Sequence, residues 1–174
     1  QRRPRSRMPM KLRPRMAILA SGFGSSMQPK VLLSDQSERE HPLDLAWLEQ
    51  LGQSALARVV AVQRNRGVLR ALEAIEITFV NDPTIARVHD DFMSLPDPTD
   101  VITFHHGEIL ISIDTAERQA QEYGRSWQHE VALYMVHGLL HLAGYLDKSP
   151  EDFECMAAMQ ERILADCLVF LNDD

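Results

Sequence analysis

Two histidines in the C-terminal half of the chain have the spacing of a pair of metal ligands. His137 and His141 lie four residues apart in the segment VHGLLHLAGYLD. In a helix such residues share one face, about 6 Å apart along the axis, so both imidazoles can reach one ion. Gly144 can end the helix in a left-handed conformation, and the returning chain then brings Asp147 toward the same point. The spacing therefore predicts that His137, His141 and Asp147 bind one metal ion.

This set of side chains is typical of a catalytic zinc site. Three protein ligands leave a position open for water, whose pKa the ion lowers, so the predicted chemistry is metal-dependent hydrolysis. The competing interpretation is that the two histidines are ordinary helix residues, because an HxxxH pair alone is weak evidence. The helix is otherwise apolar around them, and imidazoles without partners would be costly there, which favours the metal.

A zinc protease is the first alternative function. Proteases of the HExxH type place a glutamate, their general base, directly after the first histidine. The corresponding residue here is Gly138, which has no side chain. The sequence therefore favours a scissile group other than a peptide bond.

Periodicity and capping signals predict the elements that position these residues. Helices are predicted over residues 43–63, 83–92, 115–123, 127–141 and 150–170, and strands over residues 75–79, 101–104 and 108–113. Ser126 is the predicted N-cap of the helix that carries both histidines, and Asp82 and Asp114 are the predicted N-caps of two earlier helices. The pattern predicts an α+β fold: a single small domain with a three- to four-stranded sheet, helices packed on it, and the HxxxH helix in the C-terminal half.

The N-terminal part of the chain differs in charge from the rest. Residues 1–34 carry eight lysines and arginines and no acid, so the net charge of −7 becomes −15 when they are set aside. Residues 1–41 lack sustained apolar periodicity and are predicted to be a basic, disordered arm, followed by a metallohydrolase domain over residues 42–172. The acidic body argues against broad, salt-driven affinity for nucleic acid, but not against a small cleft that engages RNA.

Composition also bears on the compartment. No apolar run is long enough for a membrane span. Cys155 and Cys167 would lie about 18 Å apart in one helix, so they are predicted to be free, buried thiols in a reducing environment. The predicted location is the cytoplasm, or an organelle if the basic arm is a transit peptide.

The stretch VHGLLHLAGY resembles the signature of the YbeY family of endoribonucleases. Residues 97–104, residues 107–116 and the acidic helix over residues 151–164 agree with that family in order and spacing, and the resemblance covers about residues 74–166. It implies a small α+β fold, one zinc ion and hydrolysis of single-stranded RNA in small-subunit ribosomal RNA 3′-end maturation and ribosome quality control. The implied partners are ribosomal RNA, the small ribosomal subunit and ribosomal proteins.

Two positions depart from the family's pattern. The third metal ligand of the family is a histidine, and the matching residue is Asp147, which is also a competent zinc ligand. The family carries a functionally important arginine before its P-T-[DN]-V stretch, where this chain has Met93. These departures keep a second alternative open, a catalytically weakened, ribosome-associated RNA-binding factor.

Several polar residues near the signature need an interpretation. The resemblance places Thr99 and Asp100 beside the active site, and Thr99 is predicted to be catalytic together with His137 and His141. The alternative for Asp100 is a turn in which its carboxylate satisfies local backbone donors. Glu130 shares the helix face of His137 and is predicted to be an exposed charge rather than a partner of the metal ligands.

Overall fold

The structure, a computed structural model, describes residues 28–172 as a four-stranded mixed sheet with helices on both faces. The strands are β1 (Lys30–Gln36), β2 (Ala74–Val80), β3 (Val101–Phe104) and β4 (Glu108–Ser112), and the helices are α1 (Leu45–Ala61), α2 (Asp82–Met93), α3 (Ile113–Tyr123), α4 (Trp127–Leu142) and α5 (Pro150–Asn172). The strand order is β1-β2-β4-β3, with only β3 antiparallel to its neighbour. The predicted α+β fold is confirmed.

Strand β1 corrects the prediction that residues 1–41 form a disordered arm. The strand pairs in parallel with β2, Val31 opposite Ile75, and Lys30 donates its backbone N–H to the Glu73 carbonyl at 3.1 Å. Val31 is 2% exposed and packs in the core, whereas Leu32 on the other face is 50% exposed. Seven residues beside a basic stretch are too few to show a sustained period. The rest of the predicted arm, residues 1–27, lies outside the described residues.

The two faces of the sheet carry cores of different size. Helices α1 and α4 cover one face, and α5 packs on these two helices. The fully buried side chains of this core include Leu51, Leu56, Ile77, Phe79, Ile111, Met135 and Leu139. Helix α2 covers the other face, where Ile85 packs against Val80, Ile102 and Leu110. Helix α4 is central, and between Glu130 and Leu142 only His137 and His141 are not buried. Two partly exposed histidines therefore interrupt an otherwise buried stretch of α4.

Helix termini agree with the predicted capping signals at some positions and not at others. Ser126 caps α4 as predicted, its hydroxyl accepting from the His129 N–H at 3.2 Å. The N-caps of α2 and α3 are Asn81 and Ser112, so the predicted caps Asp82 and Asp114 are wrong by one and two residues. Asp82 lies instead in the first turn of α2, where its backbone N–H donates to the Asp114 carboxylate at 2.8 Å.

Two remaining predictions concern the cysteines and the membrane. Both cysteines are free, as predicted, but Cys155 is exposed and only Cys167 is buried. Burial, which disfavours the thiolate, raises the pKa of the Cys167 thiol. Within residues 28–172, no helix has the length and apolar character that a membrane crossing requires.

Candidate metal centre

The C-terminal end of α4 is held by a loop from much earlier in the chain. The carbonyls of Leu142 and Ala143 have no partner within the helix, and they accept from the backbone N–H groups of Val68 at 2.8 Å and Arg64 at 2.9 Å. Gly144 then adopts a φ of 89°, which turns the chain back as predicted. Backbone hydrogen bonds from Arg64 and Val68 therefore hold the end of α4 in place, just before the turn that leads to Asp147.

Three donor atoms converge at this turn. The Nε2 atoms of His137 and His141 lie 3.0 Å apart, and the Asp147 Oδ2 lies 3.4 Å from the Nε2 of His141 and 3.8 Å from that of His137. A tetrahedral zinc ion with ligands at about 2 Å would hold its donors about 3.3 Å apart. The spacing predicted from sequence is thus realised as a set of atoms around one ion-sized point, and within the described residues it is the one such group of three.

The hydrogen bond made by Nδ1 of each histidine determines that Nε2 is the atom that faces the centre of the donor set. The Tyr145 carbonyl lies 3.1 Å from the Nδ1 of His141 and can only accept, so the hydrogen sits on Nδ1. The Gln160 Oε1 accepts in the same way from the Nδ1 of His137 at 3.0 Å. Both Nε2 atoms then direct lone pairs at each other and at a carboxylate, an arrangement that repels itself unless a cation lies between. The residues present therefore fit a divalent metal ion.

The protonation state of His141 agrees with a role as ligand. Burial, followed by the neighbouring His137, lowers the pKa of His141 below its ordinary value, and the Asp147 carboxylate opposes them. The neutral imidazole is the form that binds a metal.

Gly138, which directly follows the first histidine, faces the sheet. A Cβ at this position would lie 2.9 Å from the Ile109 Cδ1 and 3.2 Å from the Thr103 Oγ1. A glutamate here would have to enter the packed contact between α4 and the strands. The HExxH arrangement of a zinc protease is therefore excluded by packing as well as by sequence.

Two cavities flank the donor atoms. His137 and Asp147 line one of about 160 Å³, and His141 and Asp147 line the other, of about 340 Å³. The donor set lies between them, so there is space for a ligand on either side of the donor atoms.

Thr99, predicted to be catalytic, is not among the three donors and is the chain neighbour of Asp100. Its hydroxyl donates to the Asp100 Oδ1 at 3.1 Å, and Asp100 lines the cavity beside His137. Thr99 itself lines a further cavity of about 510 Å³. Asp100 also accepts from the Val101 N–H at 2.8 Å, as its alternative interpretation predicts. Thr99 is therefore placed to position Asp100 rather than to bind the ion.

Met93, which stands where the family pattern has an arginine, lies at the site. It lines the cavity beside His141, together with His105 and Lys148. Lys148 supplies a positive charge there, one residue after Asp147. His106 points elsewhere and pairs with Glu108 at 3.1 Å.

Two residues of the site were not predicted correctly. Gln160 comes from α5, and no spacing rule connects it with His137, 23 positions earlier. Glu130, predicted to be an exposed charge, is 3% exposed, and its Oε1 lies 3.6 Å from Arg125. The prediction was wrong because α5 and α3 cover the side of α4 that a lone helix would show to water. A glutamate in an otherwise apolar helix was the available signal.

The fold is a small α+β domain, and its three converging donor atoms could hold a metal ion. A family model described as "Endoribonuclease YbeY" matches residues 34–167. The chain belongs to this family, and the matched region also includes β1 and α1, which precede the motifs that resemble the family's signature.

Relatives with the printed name "Endoribonuclease YbeY" support the assignment. One from Nocardioides is 32% identical over 146 residues, covering 74% of this chain and 93% of the relative. One from Heliobacterium modesticaldum is 39% identical over 116 residues, covering 53% and 70%. One from Myxococcus xanthus is 36% identical over 105 residues, and the match spans 36% of its length.

A solved structure supports the fold. The solution structure of TM1509 from Thermotoga maritima superposes with a TM-score of 0.52 at 25% identity, covering 82% of this chain and 96% of that protein.

Proposed function

We propose that this chain is a zinc-dependent endoribonuclease that hydrolyses single-stranded RNA. One observation carries the proposal: the donor atoms of His137, His141 and Asp147 converge within 3.0–3.8 Å in a cleft of a YbeY-family chain. Bound zinc would supply Lewis acidity toward the scissile phosphate and lower the pKa of a coordinated water.

The chain's own residues would orient the substrate and the ligands. Gln160 and the Tyr145 carbonyl fix the ring orientation of the two histidines. Lys148 offers a charge partner for a phosphate in the cavity beside His141. Thr99, through its hydrogen bond to Asp100, would position that carboxylate at the other side of the site.

The proposed substrate is ribosomal RNA of the small subunit, cleaved during 3′-end maturation and ribosome quality control. The proposed partners are the small ribosomal subunit and its proteins, and the proposed location is the cytoplasm. Membership of the family supports this role. The eight lysines and arginines among residues 1–34 also support it, because they would attract RNA to an otherwise acidic chain.

The test combines metal analysis with RNA cleavage. Purified protein should hold about one zinc ion per chain and cleave single-stranded RNA in a chelator-sensitive way. His137→Ala and His141→Ala should lose both properties because each removes a donor. His129→Ala, on the same helix but outside the donor set, is the matched control and should retain both.

Two other outcomes would select the alternatives. RNA binding without chelator-sensitive cleavage would indicate the catalytically weakened RNA-binding factor, for which Met93 at the arginine position is the supporting observation. Chelator-sensitive proteolysis without RNA cleavage would reverse the proposal in favour of a protease.

A further inference from the structure

The cavity beside His137 has a composition that the metal does not explain. Its walls are largely apolar, formed by Leu133, Tyr134, Met156 and Phe153, although it opens directly on the donor atoms. A site that handled only phosphate would be expected to have polar and cationic walls. The apolar walls point to a flat, weakly polar group next to the reacting one.

Phe153 is the most unusual part of this wall. It lies in the first turn of α5 and is 60% exposed, although it is a large apolar side chain. It also lines the neighbouring cavity of about 510 Å³, which contains Arg118 and Tyr123. Its ring therefore stands between two cavities, and an aromatic ring so placed can stack on a planar ligand.

Among residues 28–172, Asp100 and Gln160 of the same cavity each have one polar atom without a hydrogen-bond partner. Asp100 lines the cavity, and its Oδ1 accepts from Thr99 and Val101, so that its Oδ2 is the oxygen available to accept from a ligand. The Gln160 Oε1 is engaged by His137, which leaves the amide nitrogen as a donor. Each of the four RNA bases presents a neighbouring donor and acceptor on its edge, so this pair accepts any base.

We infer that this cavity binds one nucleobase of the substrate strand, stacked on Phe153 with its edge toward Asp100 and Gln160. The inference rests on the proposed function and specifies how the strand is held: one base lies on the His137 side of the metal, and the scissile phosphate lies over the donor atoms. Because stacking dominates and the edge contacts accept every base, the subsite discriminates single from double strands more than one sequence from another.

The test uses zinc-loaded protein and a short single-stranded oligoribonucleotide in which an abasic nucleotide replaces each position in turn. Single-turnover cleavage at increasing enzyme concentration gives the half-saturating concentration. Phe153→Ala should raise it roughly 5- to 150-fold, the range that corresponds to the loss of one stacked base. Phe153→Trp should retain most of the affinity, and zinc content should be unchanged in both variants.

A control and a double-mutant cycle separate stacking from general damage. Phe170→Ala removes an aromatic ring of similar exposure, 52%, at the other end of α5 and should behave as wild type. An abasic nucleotide at one position relative to the cut should weaken the wild type strongly but Phe153→Ala little, so the two penalties should not add.

The outcomes distinguish this inference from the proposed function. If the wild type does not cleave RNA, the proposed function is wrong, and the inferred base subsite is wrong as well. If the wild type cleaves RNA and Phe153→Ala saturates at the same concentration, only the subsite is overturned. Strictly additive penalties at every position would also overturn it, because the ring would then act through the fold. Saturable inhibition by peptides that end in an aromatic residue, without coupling to any base, would assign the cavity to a protein partner instead.

Discussion

Asp147 differs from the other two donors in both charge and exposure. One carboxylate reduces the net charge of a divalent site to +1, whereas a third imidazole would leave it at +2. The Asp147 side chain is 40% exposed, compared with 23% and 25% for the two histidines. It is therefore the candidate donor nearest to water, and it lies on a turn rather than on helix α4.

Asp147→Ala should lower zinc affinity by more than tenfold, because loss of a ligand exceeds the loss of an outer partner. Asp147→His should retain the ion. Competition with a chromophoric chelator measures both constants, and Asp166→Ala, an exposed aspartate of α5, is the control for removing one charge. An unchanged affinity in Asp147→Ala would show that the third ligand lies elsewhere, with His105 the next candidate.

The residues of the site differ in how far the sequence could predict them. His137, His141 and Asp147 are close in sequence, and helix geometry with one glycine turn is enough to bring them together. Gln160 and Phe153 come from another helix, and their approach depends on how α5 packs across α4. Such contacts follow from tertiary packing, which no local spacing encodes.

At the scale of elements, the close approach of α4 to the sheet depends on Gly138. Helix α4 lies against β3 and β4, and the missing side chain allows the contact with Ile109 and Thr103. The short distance between α4 and the strands also determines how far His137 and His141 lie from the sheet.

Gly138→Ala should destabilise the fold by about 1 kcal/mol. Overpacking costs about 1–3 kcal/mol and the gain in helix propensity returns about 1. Ile109→Val removes the Cδ1 atom that a Cβ would meet at 2.9 Å, so the alanine should be tolerated better in that background. Urea unfolding of the four proteins measures the coupling. Equal effects of Gly138→Ala in both backgrounds would contradict this account.

Strand β1 offers a comparison between adjacent residues. Val31→Ala should destabilise the protein by about 2 kcal/mol, because two buried methyl groups are lost. Leu32→Ala, at a position 50% exposed, should change the free energy of unfolding by no more than about 0.5 kcal/mol. Thermal and urea unfolding measure both. If both substitutions change the free energy of unfolding by equally small amounts, β1 does not contribute to stability.

The elements that the sequence predicted share a strong local signal. Helices α3, α4 and α5 begin or end at serine, proline or glycine, and β2 alternates clearly over its length. Strand β1 has no such signal, because its register is set by β2 some forty residues later. Parallel pairing of this kind depends on a partner that local sequence does not contain.

For the whole molecule, Asp82 connects elements on one side of the sheet. Its carboxylate, on α2, accepts from Ser112 Oγ at 2.5 Å, from Thr115 Oγ1 at 2.8 Å and from Arg118 at 2.5 Å. Burial alone would raise the pKa of Asp82, but the hydrogen bonds from Ser112, Arg118 and Thr115 together outweigh it and hold the pKa below its ordinary value.

Asp82 should therefore contribute to stability in a pH-dependent way. A lowered pKa means that its contribution is complete above the unfolded value of about 3.9 and is lost as the pH falls through the folded pKa. Wild type should exceed Asp82→Asn in free energy of unfolding by a constant amount above about pH 5, and the difference should shrink in more acidic solution. Asp91→Asn, an exposed aspartate of the same helix, is the control. A difference that does not change with pH would show that Asp82 acts through shape alone.

The dependence of the α4 terminus on Val68 and Arg64 affects when the metal can be acquired. All three donors lie within one short late segment, yet the turn between them is held by a loop made some seventy residues earlier, and Gln160 emerges last. A peptide that contains only the donors has the ligands without their geometry. During synthesis, the site should therefore gain its affinity for zinc only after residue 160 has left the ribosome, so that loading with metal reports that α5 has been made and has packed on α4.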